Sequence, residues 1–369
     1  MDSIIPGLID DLGRECLIRV PFNELPTVAS VCRNWSYEIS VPEFFRHRKA
    51  AGVSRPIIVI AQAQVEAQSE VPIENSDPDP VVKEHPARPA YRLTVSEPKA
   101  GIWAHLPPIP GLPEGLPMFC GLVGSGSDLV VVGGWDPVTW KASQAVYIYS
   151  FLYGKWREGA DMPGVRRSFF GCAASDIDRT VVVAGGHDED KNALSSAMMY
   201  YVEEDKWVTL PDMCKPRDEC KVVFHRGRFH VISGYPTDMQ GCFERTVEAF
   251  DSSTWQWGPV VEEFLEVGSG PGSCVVGPDG RMYSCIGRRS SDVAVRQGDK
   301  WLVVAEVPAD VRSSHWTVTY GDKLVVIGSS KLGEPHSGYM LDLKNFKWTK
   351  LELPTKFNGH VQCGFVLEI

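Results

Sequence analysis

Leu129-Val130-Val131-Val132-Gly133-Gly134, then Val146-Tyr147-Ile148-Tyr149, then Lys155-Trp156: a hydrophobic run ending in glycine, a short alternating strand, a polar turn and a strand carrying tryptophan. The same order returns down the chain. The glycine-ended run recurs as Val181-Val182-Val183-Ala184-Gly185-Gly186, Phe229-His230-Val231-Ile232-Ser233-Gly234, Met282-Tyr283-Ser284-Cys285-Ile286-Gly287 and Leu324-Val325-Val326-Ile327-Gly328. The tryptophans that close the units, Trp103, Trp156, Trp207, Trp257, Trp301 and Trp348, stand 53, 51, 50, 44 and 47 residues apart. Seven residues before five of them are Tyr149, Tyr200, Phe250, Ala294 and Leu341, expected on the preceding strand. A unit of this size cannot bury its own faces, so neighbours must stack into one core. The glycines at the run ends are expected to let crowded strands approach a central axis.

A period near fifty with this order resembles the kelch repeat, which implies a mainly β fold, the β-propeller. A further strand ahead of each run makes four per blade, a to d, with the tryptophan on d. Cys120, Cys172, Cys220, Cys274 and Cys363, at intervals of 52, 48, 54 and 89, fall on strand a and are expected to share one structural position as small hydrophobes. Pro56-Ile60, Tyr91-Val95 and Trp103-Leu106 read as strands b, c and d with no a before them, and the terminal GHVQCGFVLEI, residues 359–369, reads as a strand a with nothing after it. Joining the two gives six complete blades and removes the exposed edges of an open ring. Residues 55–369 are thus expected to form the propeller. The stretch at about 61–90, rich in Gln, Glu, Pro and Asp, reads as a mobile insert in blade one.

Composition excludes several functions. The chain has 37 Lys+Arg against 47 Asp+Glu, a net charge of -10, which repels a phosphate backbone, so nucleic acid is not an expected partner. The N-terminus lacks a basic region and no run of 18 apolar residues occurs, which predicts a protein without a membrane partner, placed in the cytoplasm with the nucleus as the alternative. The ten cysteines form no C-x-x-C pair, so reduced thiols are expected rather than disulfides or zinc. No metal is expected at His187-Asp188-Glu189-Asp190, which lacks the order of an EF-hand loop, and no cofactor is implied.

Residues 1–50 read differently. Leu8, Leu12, Cys16, Leu17 and Val20 recur at helical spacing up to Pro21, and a second segment runs from Leu25 through Val28, Val31 and Trp35 to Ile39. Two or three short helices bury too little to stand alone, so a partner must cover their apolar face. Leu8-Ile9-Asp10-Asp11-Leu12, Cys16-Leu17-Ile18-Arg19-Val20-Pro21, Val31-Cys32-Arg33-Asn34-Trp35 and Val41-Pro42-Glu43-Phe44-Phe45 resemble an F-box, with Ile9 standing where that family usually has proline. The resemblance implies docking onto the Skp adaptor, and through it a cullin, of a RING-type ubiquitin ligase. Leu8, Leu12, Leu17, Pro21, Val31 and Trp35 would be its anchors. With the kelch blades, nearly the whole chain resembles plant F-box/kelch-repeat proteins. Ser168-Phe169-Phe170, residues 184–192, Leu210-Pro211-Asp212-Met213, Arg217-Asp218-Glu219-Cys220 and Gly359-His360-Val361-Gln362 are most similar to the subgroup that directs phenylalanine ammonia-lyase, or related phenylpropanoid and flavonoid enzymes, to ubiquitination.

Because the linker enters at strand b, the helices are expected near the face where a-b and c-d loops emerge. The opposite face would then meet the target, displaying Trp135, His187, Tyr235 and Arg288 from b-c loops and Arg166, Arg167, Arg217 and Arg312 from d-a turns. The recurrence of arginine at one point of the repeat equally fits bridges between neighbouring blades. The reading that follows is a non-catalytic receptor. The rivals are a kelch-type oxidase or hydrolase, for which no convergent ligand set or G-x-S-x-G elbow stands in the sequence, and a scaffold outside the ubiquitin system.

Overall fold

The computed structural model describes residues 3–64, 90–175, 178–287 and 291–369. Four short helices lead: α1 (Asp10–Ile18), α2 (Leu25–Val31), α3 (Arg33–Ser40) and α4 (Pro42–Ala50). Strands follow as β1 (Pro56–Ala63), β2 (Tyr91–Glu97) and β3 (Ile102–His105), then β4 (Gly121–Ser125), β5 (Asp128–Val132), β6 (Val146–Ser150) and β7 (Lys155–Gly159). Blade three is β8 (Gly171–Ser175), β9 (Thr180–Ala184), β10 (Ala197–Tyr201) and β11 (Lys206–Thr209). Blade four is β12 (Lys221–His225), β13 (Arg228–Ile232), β14 (Val247–Asp251) and β15 (Gln256–Trp257). Blade five is β16 (Val275–Val276), β17 (Met282–Ile286), β18 (Asp292–Gln297) and β19 (Lys300–Glu306). Blade six is β20 (Ser313–Tyr320), β21 (Lys323–Ser329), β22 (Ser337–Asp342) and β23 (Trp348–Leu351), after which β24 (Val361–Glu368) joins β1.

The ring closes as the chain ends suggest. β24 pairs antiparallel with β1 from Pro56↔Glu368 to Gln62↔Val361, completing blade one as β24-β1-β2-β3, so six four-stranded sheets surround one axis. The insert starts later than residue 61: Ala61, Gln62 and Ala63 continue β1 against Leu93, Arg92 and Tyr91. Residues 65–89, and with them the expected mobility, lie outside the described residues.

The repeating tryptophan joins blade to blade. The indole N–H of Trp156 donates to the Pro107 carbonyl at 3.0 Å, Trp207 to Ala160 at 2.8 Å, Trp257 to Pro211 at 2.7 Å, Trp301 to Phe264 at 2.7 Å and Trp348 to Glu306 at 2.8 Å. Each acceptor lies where the preceding blade ends, so one side chain fills the inter-blade core and hydrogen-bonds a carbonyl there; Phe264 O also accepts from Arg296. Trp103, in blade one, instead stacks on Phe357 at the exit of blade six, 5.9 Å between centroids. The cross-strand partners Tyr149, Tyr200, Phe250 and Leu341 sit opposite their tryptophans as the seven-residue spacing implies. Blade five departs: its last two strands are joined by only Gly298-Asp299, against four turn residues in blade two, and this places Arg296, not Ala294, opposite Trp301. The Arg296 guanidinium lies 4.2 Å from the Phe264 ring centroid and 5.8 Å from that of Trp301.

Two expectations about small residues are corrected. The five cysteines do not share one position: Gly121, Gly171 and Lys221 hold equivalent registers, opposite Val132, Ala184 and Ile232, which puts Cys120 and Cys220 one residue before that point and Cys172 one after it. The near-equal spacing averaged over a shift of register. The glycine pairs do not ease strands toward the axis either. Gly185 and Gly186 have φ of 66° and 81°, and a Cβ on them would lie 2.3 Å from the Arg217 carbonyl oxygen and 2.4 Å from that of Ser168. They turn the chain out of β9 and admit the next blade's backbone, to which the Gly186 N–H donates at Arg217 O, 2.8 Å.

There are four helices rather than two or three, and blade two covers part of their apolar face. Leu25 and Val28 share one core cluster with Tyr149, Phe151 and Leu152 around the β6-β7 turn, where Phe22 and Phe151 pack at 5.7 Å. Arg48, buried on α4, donates to the Ile18 and Val20 carbonyls at 2.7 Å each and so satisfies the end of α1. Lys49 pairs with Glu368 at 2.6 Å, tying α4 to the closing strand. No helix among the described residues is long and apolar enough to cross a membrane.

Candidate functional site

The helical segment leaves several apolar side chains open. Leu8, Leu12 and Val31 are 36%, 51% and 56% exposed, and Pro21 is exposed as well. α1 begins only at Asp10, so Leu8 precedes it; within the helix Leu12 and Cys16, four residues apart, share one exposed face. Leu17 and Trp35 do not belong with them. Leu17 is 2% exposed and faces the interior; Trp35 is half-buried, its indole N–H donating to the Ile4 carbonyl at 2.6 Å. A partner cannot reach Leu17 without opening the helices. Ile9 and Tyr37, at 68% and 66% exposure, are open as well, though neither was proposed as an anchor. Large apolar side chains left in water together mark an interaction surface.

On the propeller, the face with b-c loops and d-a turns is the one away from the helices, which pack at the c-d turn of blade two. Here the structure separates the proposed contacts. Arg167 and Arg217 are each 1% exposed. Arg167 donates to the Gly185 and Ser196 carbonyls at 3.1 and 3.0 Å, and burial pushes its guanidinium down to about 10. Arg217 pairs with buried Glu248 at 2.8 Å and donates to the Ser233 carbonyl at 2.8 Å. Both brace the b-c loop of their own blade, so neither is a target contact nor a bridge between blades. Arg312 does bridge: half-buried, it donates to the Val307 carbonyl at 2.8 Å and pairs with Glu306 at 2.6 Å, joining the end of blade five to the start of six. Tyr235 is buried with its hydroxyl donating to Glu219 at 2.8 Å. Arg288 lies outside the described residues.

His187 is likewise internal, and its surroundings are those of a relay. Its Nδ1 lies 2.8 Å from Asp218 Oδ2 and its Nε2 is 3.0 Å from Ser168 Oγ, the order of a nucleophile, base and orienting acid. Ser168 Oγ is nevertheless enclosed, since Ser168 is 3% exposed, Phe169 stacks on the imidazole at 5.4 Å, and Lys191 Nζ occupies the same Nε2 at 2.9 Å. The three side chains latch the d-a turns of blades three and four to the b-c loop between them. Among the described residues no group of three or more His, Cys, Asp or Glu is placed to hold a metal ion.

Beside exposed Arg166, Glu189 and Asp190, this face carries an aromatic cluster in which Phe119, Trp135 and Phe169 are half-buried and Trp140 is exposed. Phe119 and Phe169, each two residues before the first strand of its blade, stack at 4.5 Å; Trp135 meets both edge-on at 5.8 and 5.7 Å, Trp140 meets Trp135 at 6.2 Å, and Lys191 Nζ stands 4.8 Å from the Trp135 ring. Phe119 and Phe169 have φ of 58° and 56°, and Glu219, at the same point of blade four, 52°. Bulky residues are disfavoured there by about 1 kcal/mol or more, and such strain concentrates where side chains are held for contact. Of the described residues proposed from sequence, Trp135 belongs to this cluster and buried His187 backs it through Phe169. The pair Phe119 and Phe169, exactly fifty residues apart, was the signal available for the rest.

A six-bladed ring of four-stranded sheets, with an aromatic cluster on one face and a helical module packed near the other, defines a β-propeller with an N-terminal helical appendage. The Kelch motif model matches residues 118–163 and 166–213, blades two and three with their turns. The F-box/kelch-repeat protein At1g80440 of Arabidopsis thaliana is 49% identical over 374 residues, covering 100% of each chain. Its relative At1g15670, from the same plant, is 48% identical over 371 residues, again 100% of each, and At2g44130 is 35% identical over 396 residues, 98% of this chain and 93% of that one. The chain belongs to the F-box/kelch-repeat protein family.

Proposed function

We propose that this protein is the substrate-recognition subunit of an SCF-type cullin-RING ubiquitin ligase, working in the cytoplasm with the nucleus as a second compartment. The exposed side chains of Leu8, Leu12, Pro21 and Val31 bind the Skp adaptor and through it the cullin. The aromatic cluster holds the target. Holding target and charged conjugating enzyme in one complex raises their effective concentration, which is the whole of the chemistry asked of this chain; it needs no cofactor and no nucleophile of its own. The observation that carries the reading is the separation of two open apolar surfaces, one on the helices and one on the far face of the ring.

The target class in this proposal is phenylalanine ammonia-lyase or a related phenylpropanoid or flavonoid enzyme. It rests on the resemblance of the five segments named above, and their placement supports it: residues 168–170, 185–192, 210–213, 217–220 and 359–360 fall in d-a turns or b-c loops, while 184 ends β9 and 361–362 begin β24. The test is reconstituted ubiquitin transfer onto phenylalanine ammonia-lyase with adaptor, cullin and RING subunit present. Transfer is expected to require this chain, to be lost with Trp135→Ala/Phe169→Ala and to survive Ser168→Ala. Transfer at an equal rate without the chain sinks the proposal, and ester hydrolysis by the purified chain alone, lost with Ser168→Ala, would return the hydrolase reading.

A further inference from the structure

Five thiols, Cys120, Cys172, Cys220, Cys274 and Cys363, line the propeller channel, a space of about 1110 Å³ between the innermost strands. All ten cysteines lie among the described residues and none is bridged. Two of the five meet at the seam where the ring closes. Cys363 stands on β24, opposite Ala61 of β1, and Cys120 immediately precedes β4, the inner strand of the next blade. The Cys363 sulfur lies 3.5 Å from the Cys120 carbonyl oxygen. The side-chain amide of Gln362 spans the two, 4.0 Å from Cys120 Sγ and 3.8 Å from Cys363 Sγ. The thiols are themselves within hydrogen-bonding reach of each other.

The pair is chemically unequal. Cys363 is half-buried on the channel wall, whereas Cys120 is only 4% exposed. Hydrogen bonding with Cys120 draws the Cys363 thiol below its ordinary range against the cost of burial, helped by the Gln362 amide and by Lys221 of β12 across the channel. The same hydrogen bond, and then burial, raises Cys120 well above that range. Burial alone holds Cys172, Cys220 and Cys274 up at about 12, 11 and 11. The thiolate is the nucleophilic form, so one attacking sulfur and one protonated partner stand side by side. Cys172 is the rival partner, since a Cβ on Gly121, the residue after Cys120, would lie 3.2 Å from its sulfur. It makes no hydrogen bond with Cys363 of the kind that Cys120 makes.

We infer that Cys363 and Cys120 are a peroxide-reactive dithiol, which hydrogen peroxide converts to a disulfide across the closing seam. The Cys363 thiolate attacks one peroxide oxygen; the O–O bond breaks, leaving Cys363 sulfenic acid and a hydroxide that takes a proton from solvent. The Cys120 sulfur then attacks Cys363 Sγ; the S–S bond forms, the S–O bond breaks, and the departing hydroxide takes the Cys120 proton. Two thiols and one peroxide become one disulfide and two waters, with two electrons passing from sulfur to oxygen. The bond fastens β24, otherwise held to β1 by its ladder, to the start of blade two, 243 residues away in sequence, and a cross-link over so long a loop restricts the unfolded chain strongly. The site is independent of the ubiquitin reading and is tested on the purified full chain. After hydrogen peroxide and alkylation, peptide mass spectrometry is expected to find a Cys120–Cys363 linked peptide that dithiothreitol removes, and urea unfolding a higher midpoint for the oxidised protein. Folded Cys120→Ala is expected to stop at Cys363 sulfenic acid, trapped by dimedone, and to show no rise in midpoint. The wild-type link decides the matter even if that variant does not fold. Both thiols still open to alkylation once exposed Cys214 has reacted, or a Cys363 link to Cys172 in place of Cys120, would overturn the inference.

Discussion

Trp207 shows how a repeated residue holds a ring together. Its indole fills the space between blades two and three while its N–H reaches the Ala160 carbonyl. Trp207→Phe keeps most of the packing and leaves that carbonyl unpaired, so a loss of about 1 kcal/mol is expected in urea unfolding, and no loss would show that solvent already satisfies it. Arg217 is a different case. Removing it strands the buried Glu248 carboxylate, so Arg217→Ala is expected to cost about 3–5 kcal/mol and to reduce target capture only through unfolding. His230 and His336 are held at about 4 by burial, against 6.5 when unfolded. The unfolded chain therefore binds more protons between these values: their contribution is complete above pH 6.5 and is lost as the pH falls toward 4. A Tm that declines over this window, less steeply in His230→Gln/His336→Gln, is the expected result; a flat profile in the wild type contradicts it. At this scale the tryptophans were legible because period alone identifies them. The roles of Arg167 and Arg217 were not, since recurrence marks a shared position without telling whether the side chain points into the blade or out to a partner.

At the level of elements, α1 carries an interior residue, Leu17, and an exposed one proposed for docking, Leu12, five positions apart. Leu12→Asp is expected to leave thermal unfolding of the chain unchanged and to abolish adaptor binding, whereas Leu17→Asp should disrupt the helices as measured by far-UV circular dichroism. If Leu17→Asp stayed folded and Leu12→Asp still bound the adaptor, the docking surface would be misplaced. Sequence spacing named both leucines because each fits the helical period; only the packing of Ile18, Leu25 and Phe44 around Leu17 separates them. The d-a turns were read less well. Phe119 and Phe169 lie outside the strand pattern, and their left-handed backbone has no sequence signature of the kind glycine gives. The strand a cysteines misled for a related reason, as turns of unequal length preserved the spacing while shifting the register.

Across the whole molecule, β24 makes one closed body out of six blades and also reaches the helices through Glu368 and Ile369. The closing strand was legible because unmatched pieces at the two ends complete one another, and the face occupied by the helices followed from the strand at which the linker enters. The architecture places exposed helical side chains and an aromatic cluster on different sides of a rigid ring, so the two should fail independently. The most direct measurement is size-exclusion co-elution of the full chain with the Skp adaptor and phenylalanine ammonia-lyase, using the wild type, Leu12→Asp and Trp135→Ala/Phe169→Ala. A ternary complex for the wild type, loss of the adaptor alone in the first variant and loss of the enzyme alone in the second is the predicted result; a wild type that retains neither partner, or variants that lose both together while folded, would contradict the two-ended receptor.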